Sequence, residues 1–213
     1  MIIKKFTFNS FQENTYVVSD NKKCMIIDPG CSTKEEETIL SQYINNNQLS
    51  PTELINTHCH LDHIFGNSFI SKKYNLKPKM HEKDLPLLTN AVNIAKQYNV
   101  NLAPPPLEVE FIKENDTIQL GRTSWEIIFT PGHAPGHICL FNKLHKKIIA
   151  GDVLFFMSIG RTDLPLCNHA DLMNSIKNKL FHLDDTVEVY CGHGQNTSIG
   201  FEKKHNPFFR DLK

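Results

Sequence analysis

An α/β (α+β) fold with sheets layered between helices is predicted by three observations. Short apolar runs such as CMIID, WEIIFT, KIIAGD and VEVYCG recur along the chain, each stopped at or near an Asp, Pro or Gly. Longer segments with apolar residues at helical spacing lie between them. The strand candidates also fall into two groups, one in each half of the chain, which suits two sheets flanked by helices.

The elements follow in order. IIKKFTF (2–8) alternates loosely, NTYVVSD (14–20) follows the turn-like NSFQEN, and CMIID (24–28) is halted by Pro29-Gly30. Residues 34–46 carry Ile39, Leu40, Tyr43 and Ile44 at helical spacing, with acids in the first turn where the helix dipole favours them. Ser50-Pro51 breaks the chain before ELINT (53–57), a short strand that runs straight into a histidine cluster. Helical residues 64–74, a strand near 78–81 and a further helix over 82–98 come next. NLAPPPLE (101–108) is a proline-rich connector, and the strands after it are too few to stand alone, so 1–213 is read as one domain. TIQL, WEIIFT, ICLF, KIIAGD and VEVYCG supply five more strands, with a helix near 170–181 between the last two.

The composition narrows the function classes. Lys+Arg and Asp+Glu balance at 23 each, which argues against nucleic acid, because phosphate binding leaves a basic excess. No apolar run reaches the length of a membrane-spanning helix, and MIIKKFTFN lacks the apolar region of a secretory signal. The six cysteines are scattered without a CxxC pair and read as reduced thiols, so a cytoplasmic protein acting on a small molecule is expected. The oligomeric state leaves no trace in the sequence.

Chemistry concentrates at strand ends. THCHLDH (57–63) holds three histidines and an aspartate, TPGHAPGH (130–137) places His133 in a Pro-Gly turn, AGD places Asp152 after KIIAG, and CGHG places His193 after VEVY. Residues at strand ends on one sheet edge can converge on a point. In an extended segment His58 and His60 share a side, while Asp62 and His63, a turn further on, address a second position. With His133 the first pair offers three nitrogens, and with His193 the second offers two nitrogens and a carboxylate. Asp152 is left to bridge. Imidazole and carboxylate suit zinc, iron or manganese, and each ion would keep an open position, as catalytic sites do.

THxHxDH, a PGHxPGH loop, GD after a strand and a late GHG together resemble the metallo-β-lactamase-fold hydrolases. The resemblance runs from the strands near the N-terminus to GHG and implies a four-layer αββα sandwich. It also implies a dinuclear centre, zinc above all, on His58, His60, Asp62, His63, His133, Asp152 and His193, with Asp62 and Asp152 at the reacting position. PGHAPGH, GHGQNT and SIGRTD (158–163) are similar to the glyoxalase II-like branch, the hydroxyacylglutathione hydrolases. That branch implies hydrolysis of a thioester such as S-lactoylglutathione, through attack by a metal-bridging hydroxide. Glyoxalase II proper adds a C-terminal helical domain that holds glutathione; FEKKHNPFFR is too short for it, and Lys203, Lys204 and Arg210 read as a solvated terminal charge run. Persulfide dioxygenases share the HxHxDH pattern and a GRTD-like loop but use one iron, whose ligands here would be His58, His133 and Asp152. Ester or lactone hydrolysis is a further alternative.

Other residues have supporting roles on this reading. Arg161 is a candidate to hold a substrate carboxylate, against an Arg161–Asp163 pair that only fixes its loop. Asp28 and Thr57 are expected to hydrogen-bond the far nitrogens of the ligand histidines, with His137 as a further supporting group. Cys59 and Cys191 are read as turned away into the core, and Phe155 and Phe156 as core rather than pocket wall.

Overall fold

The computed structural model describes residues 1–212. Its strands are β1 (Ile2–Phe8), β2 (Glu13–Asp20), β3 (Lys23–Ile27), β4 (Ser50–Ile55), β5 (Pro78–Met80), β6 (Glu110–Phe111), β7 (Thr117–Leu120), β8 (Thr123–Phe129), β9 (Ile138–Asn142), β10 (Lys147–Gly151), β11 (Leu154–Phe155), β12 (Ser158–Ile159), β13 (Glu188–Cys191) and β14 (Thr197–Ser198). Its α-helices are α1 (Lys34–Asn46), α2 (Leu61–Ile64), α3 (Asn67–Tyr74), α4 (Leu85–Gln97), α5 (His169–Asn178) and α6 (Ile199–His205). Two six-stranded sheets form, in the orders β1-β2-β3-β4-β5-β6 and β14-β13-β10-β9-β8-β7, and β11 and β12 make a small hairpin.

Strand periodicity builds the layers. Tyr16 and Val18 on β2, Met25 and Ile27 on β3, and Ile55 on β4 face the second sheet. Trp125 and Ile127 on β8, Ile138 and Leu140 on β9, and Ile149 on β10 meet them in a shared inner core. The residues between them point outward: Val17, Cys24, Ile26 and Leu54 pack under Leu40 and Ile44 of α1 and Ile70 of α3. On the other side Cys139, Ile148, Ala150 and Val189 pack under Leu172 and Ile176 of α5 and Ile199 of α6. Side chains of successive strand residues alternate between faces, so strands of continuous apolar sequence are covered on both. The result is helix, sheet, sheet, helix, the expected αββα layering. α4 joins the first sheet over Met80 through Leu87, Leu88, Ala91 and Ala95.

Local sequence explains several boundaries. Thr33 and Glu36 close α1 with a capping box, each side chain accepting the other's backbone N–H. The helix expected over 64–74 splits into α2 and α3 at Gly66, which donates its N–H to Pro29 O at 2.7 Å. A Cβ there would overlap Cys31 Sγ. The terminal stretch expected to be a solvated charge run forms α6, capped by Ser198 Oγ accepting the Phe201 N–H at 3.2 Å. Buried Glu202 on α6 accepts from the Met157 N–H, the Thr197 hydroxyl and the Asn206 amide, which ties the β11–β12 hairpin to the C-terminal segment. Among the described residues no helix is long and apolar enough to cross a membrane.

Candidate metal centre

The seven donors named by the sequence all arrive at one end of the sandwich. β4 ends at Ile55; Asn56 to His60 then run without regular structure, and the first turn of α2 carries Asp62 and His63. His133 sits between β8 and β9, Asp152 directly after β10, and His193 two residues after β13. β10 and β13 are parallel neighbours, so their C-terminal ends bring Asp152 and His193 side by side. Glycine at 192 is a steric requirement, because a Cβ there would overlap Asp152 Oδ1.

The donors form two groups. One ligand atom each from His58, His60 and His133 lie within 4.8 Å of one another, and so do those of Asp62, His63 and His193. His60 Nδ1 and His133 Nε2 are 2.9 Å apart, and His193 Nε2 lies 3.1 Å from Asp62 Oδ2. Asp152 stands between the groups: Oδ1 is 3.5 Å from His63 Nε2, while Oδ2 is 3.4 Å from both His133 Nε2 and His193 Nε2. Asp28 also comes near His58 and His63, but its oxygens are taken by hydrogen bonds, so it is a support rather than a third donor position.

Divalent cations suit this arrangement. His58 Nε2, His63 Nε2 and Asp152 Oδ1 are buried atoms without a hydrogen-bond partner in the protein, and all belong to the convergent set. Buried polar atoms in proteins are in general paired, and a cation coordinated at about 2 Å would satisfy these three, which unlike Tyr74 Oη, Trp125 Nε1 and Asn196 Oδ1 converge on one point. Among the described residues neither donor group contains a cysteine, which sets the centre apart from a closed structural zinc site.

The far side is fixed for four of the five rings. His58 Nδ1 donates to Thr57 Oγ1 at 3.1 Å, and that hydroxyl donates to Asp28 Oδ2 at 2.5 Å. His63 Nδ1 donates to the same Asp28 oxygen at 3.1 Å. His133 Nδ1 donates to Arg161 O at 2.9 Å, and His193 Nδ1 to Phe11 O at 3.1 Å. For each of these rings in its neutral form, these bonds select the tautomer that leaves the Nε2 lone pair facing the centre. His137 supports the bridge: its Nε2 accepts the Asp152 N–H at 3.1 Å, and its Nδ1 donates to Thr130 Oγ1 at 2.9 Å.

Burial and charge set the protonation. Burial depresses the imidazolium form of His58, His133 and His137, and holds His60 down to about 3, so these rings are neutral. His63 and His193 go the other way. Burial opposes their charge, but Asp152 with Asp62 and Asp28 raises His63, and hydrogen bonds to Asp152 and Asp62 raise His193 to about 10. Burial raises Asp62 and Asp152, yet His63 and His193 outweigh it and keep both carboxyls low, hence ionised.

Other candidates fall elsewhere. Arg161 lines the cavity, but its Nε and Nη2 are held by Asp163 at 2.7 and 2.8 Å, the loop-fixing arrangement. Cys59 turns away and packs with its Sγ 3.6 Å from Met80 Sδ; Cys191 lies in the outer core of the second sheet. The expectation that Phe155 and Phe156 are core residues is corrected. Phe155 is only partly buried and walls the cavity, and Phe156 is 42% exposed and stacks on Phe201, because the β11–β12 hairpin stands off the sheet. Lys203 pairs with Asp185 away from the centre.

Three supports escaped the sequence reading. Asp84, fully buried, accepts the N–H of Cys59 at 2.8 Å and that of Gly136 at 2.5 Å, joining the two histidine loops. Tyr16 and Asn14 of β2 donate to Cys191 O at 2.6 and 3.0 Å, which moors the His193 loop to the first sheet. Glu13 is fully buried with Oε1 3.9 Å from His63 Nδ1, and burial pushes its carboxyl well above the usual range. Glu13 heads β2, where polar and apolar residues mix, so no local pattern marked it.

A family model described as the metallo-beta-lactamase superfamily matches residues 9–193. Hydroxyacylglutathione hydrolase GloC of Haemophilus influenzae is 34% identical over 213 residues, covering 98% of each chain. The crystal structure of BLEG-1, a B3 metallo-beta-lactamase, superposes with a TM-score of 0.88 at 31% identity, covering 98% of this chain and 100% of that one. TTHA1623 in a di-iron-bound form superposes at 0.87 with 31% identity, covering 96% and 99%. With this match along most of its length, and with the sandwich and donor cluster described above, the chain belongs to the metallo-beta-lactamase superfamily.

Proposed function

We propose that the centre holds two divalent cations, zinc, iron or manganese, and hydrolyses thioesters. The three buried, unpartnered donor atoms of His58, His63 and Asp152 carry the metal part of this reading. His58, His60 and His133 would hold one ion, Asp62, His63 and His193 the other, and Asp152 would reach both. Cations bound there would supply a water of pKa near about 7 and an electrophile for the carbonyl oxygen.

The chain's own groups do the rest. Asp62 and Asp152, ionised and lining the cavity, would orient an attacking water by accepting its hydrogen bonds. Asp28, Thr57 and the Arg161 carbonyl hold the histidine rings in register, so little reorganisation is needed during the reaction. The thioester assignment is supported by the SIGRTD and PGHAPGH segments and by the likeness to the hydroxyacylglutathione hydrolase of Haemophilus influenzae.

Purified, metal-replete protein should hydrolyse S-lactoylglutathione or other members of a thioester panel and carry about two metals per chain. Inertness toward the whole panel would refute the substrate class. One iron per chain, with oxygen consumed on glutathione persulfide, would instead assign the mononuclear dioxygenase reaction to His58, His133 and Asp152.

A further inference from the structure

The cavity over the donor cluster encloses about 520 Å³, within the range of small-molecule sites. Its floor is His60, Asp62, His133, Asp152 and His193. Above them the walls are mainly apolar, with Leu61, Leu87, Ile94, Ile159 and Leu164, and Gln97 and Ser158 are the uncharged polar side chains among them. Leu87 and Ile94 are seven residues apart on α4 and so share one helix face. Leu61, Leu87 and Ile159 are at most 7% exposed, so they line the inner, buried part of the cavity.

The mouth differs. Tyr98 is 51% exposed there, its ring 6.4 Å from that of Phe11, and the Arg161 and Asp163 side chains are 61% and 68% exposed. Histidines aside, Arg161 is the one cationic side chain among the described lining residues. Asp163 already occupies the Nε and Nη2 edge of its guanidinium, so a carboxylate arriving on that edge would meet a carboxylate. A charged thiol carrier therefore stays in solvent at the rim, while the part that gains by burial is apolar.

We propose that this site selects its substrate by an apolar acyl group, a medium-chain aliphatic or aryl acyl lying along Leu87, Ile94 and Leu164, and leaves the thiol part at the exposed mouth. This rests on the hydrolytic function proposed above. The step itself is ordinary hydrolysis: the carbonyl carbon to sulfur bond breaks, a carbon to oxygen bond forms from water, and the products are the carboxylate and the thiol. Leu87, Ile94 and Leu164 are then specificity-determining residues.

The test compares acetyl, butyryl and hexanoyl thioesters of N-acetylcysteamine, a neutral thiol, with S-hexanoylglutathione and S-lactoylglutathione. The expected kcat/KM rises about fourfold per added methylene, since each contributes about 0.8 kcal/mol on burial. Hexanoyl should exceed lactoyl on glutathione, and exchanging the thiol should matter less than exchanging the acyl group. Ile94→Asp should collapse the hexanoyl-to-acetyl ratio toward one. A flat or falling chain-length dependence, or a preference for the glutathione carrier that outweighs the acyl group, would overturn the proposal. Calorimetric titration with hexanoate against butyrate separates the two proposals. Chain-length-dependent binding without thioester turnover removes the hydrolytic reading and keeps the apolar site; turnover without chain-length dependence does the reverse.

Discussion

Asp28 controls two histidines through one oxygen. Its Oδ2 accepts from His63 Nδ1 directly and reaches His58 through the Thr57 hydroxyl, while Oδ1 holds the Thr57 N–H. Two rings from different donor groups thereby owe their tautomers to a single side chain. Asp28→Asn replaces one of these oxygens with an NH2 that cannot accept. The expected outcome is a loss of metal affinity of about 10- to 100-fold, read by competition against a chromophoric chelator. Unchanged affinity would show that Asp28 only shapes the turn after β3, where it adopts a φ of 49°. At this scale the sequence was informative about donors, since imidazoles and carboxylates at tight spacing are chemically distinctive. It was nearly silent on Glu13, Asn14 and Asp84, whose partners lie on remote segments and leave no local pattern.

Elements of regular length could be read and the short ones could not. β2, β3, β8 and α1 carry a period long enough to recognise, whereas β6, β11, β12 and β14 span two residues each and exist only because a neighbour offers backbone partners. The loops between elements position the site, and Asp84 joins two of them, at Cys59 and at Gly136. Burial pushes the Asp84 carboxyl up to about 7, although the two N–H groups favour its ionised form. A raised folded-state value means the folded protein binds this proton more tightly than the unfolded chain. The stability it contributes is therefore complete below the ordinary value of 3.8 and is lost as pH rises through about 7. The stability of the wild type relative to Asp84→Asn should accordingly fall by on the order of 2 kcal/mol between about pH 5 and about pH 8, as read from urea unfolding. A pH-independent difference would show that Asp84 titrates at its ordinary value.

For the whole molecule, the apolar layers and the polar centre are separable. The inner core between the sheets and the outer cores under α1 and α5 draw no side chain from the donor set. Chelation should therefore lower Tm by on the order of 5–10 °C per site released while the far-UV circular dichroism persists. Collapse of the secondary structure on chelation would show that the metals organise the fold itself. Sheets layered between helices were legible because strand alternation and helical spacing are local, and burial on both faces leaves runs such as YVV and MII apolar throughout; the four-layer αββα order came from the resemblance. The seven convergent side chains were legible because THCHLDH spaces His58, His60, Asp62 and His63 tightly, and because His133, Asp152 and His193 each follow an apolar strand beside a glycine. The tertiary structure decided what depends on distance. It engaged Arg161 with Asp163, tied both histidine loops to Asp84, moored the His193 loop to β2, and lined the cavity with apolar residues from α4 and the 159–165 segment. Apart from the Arg161–Asp163 pair, those contacts join positions tens to hundreds of residues apart, and the hydrophobic collapse that brings them together is non-directional. Spacing along the chain therefore names the groups, and packing determines their partners.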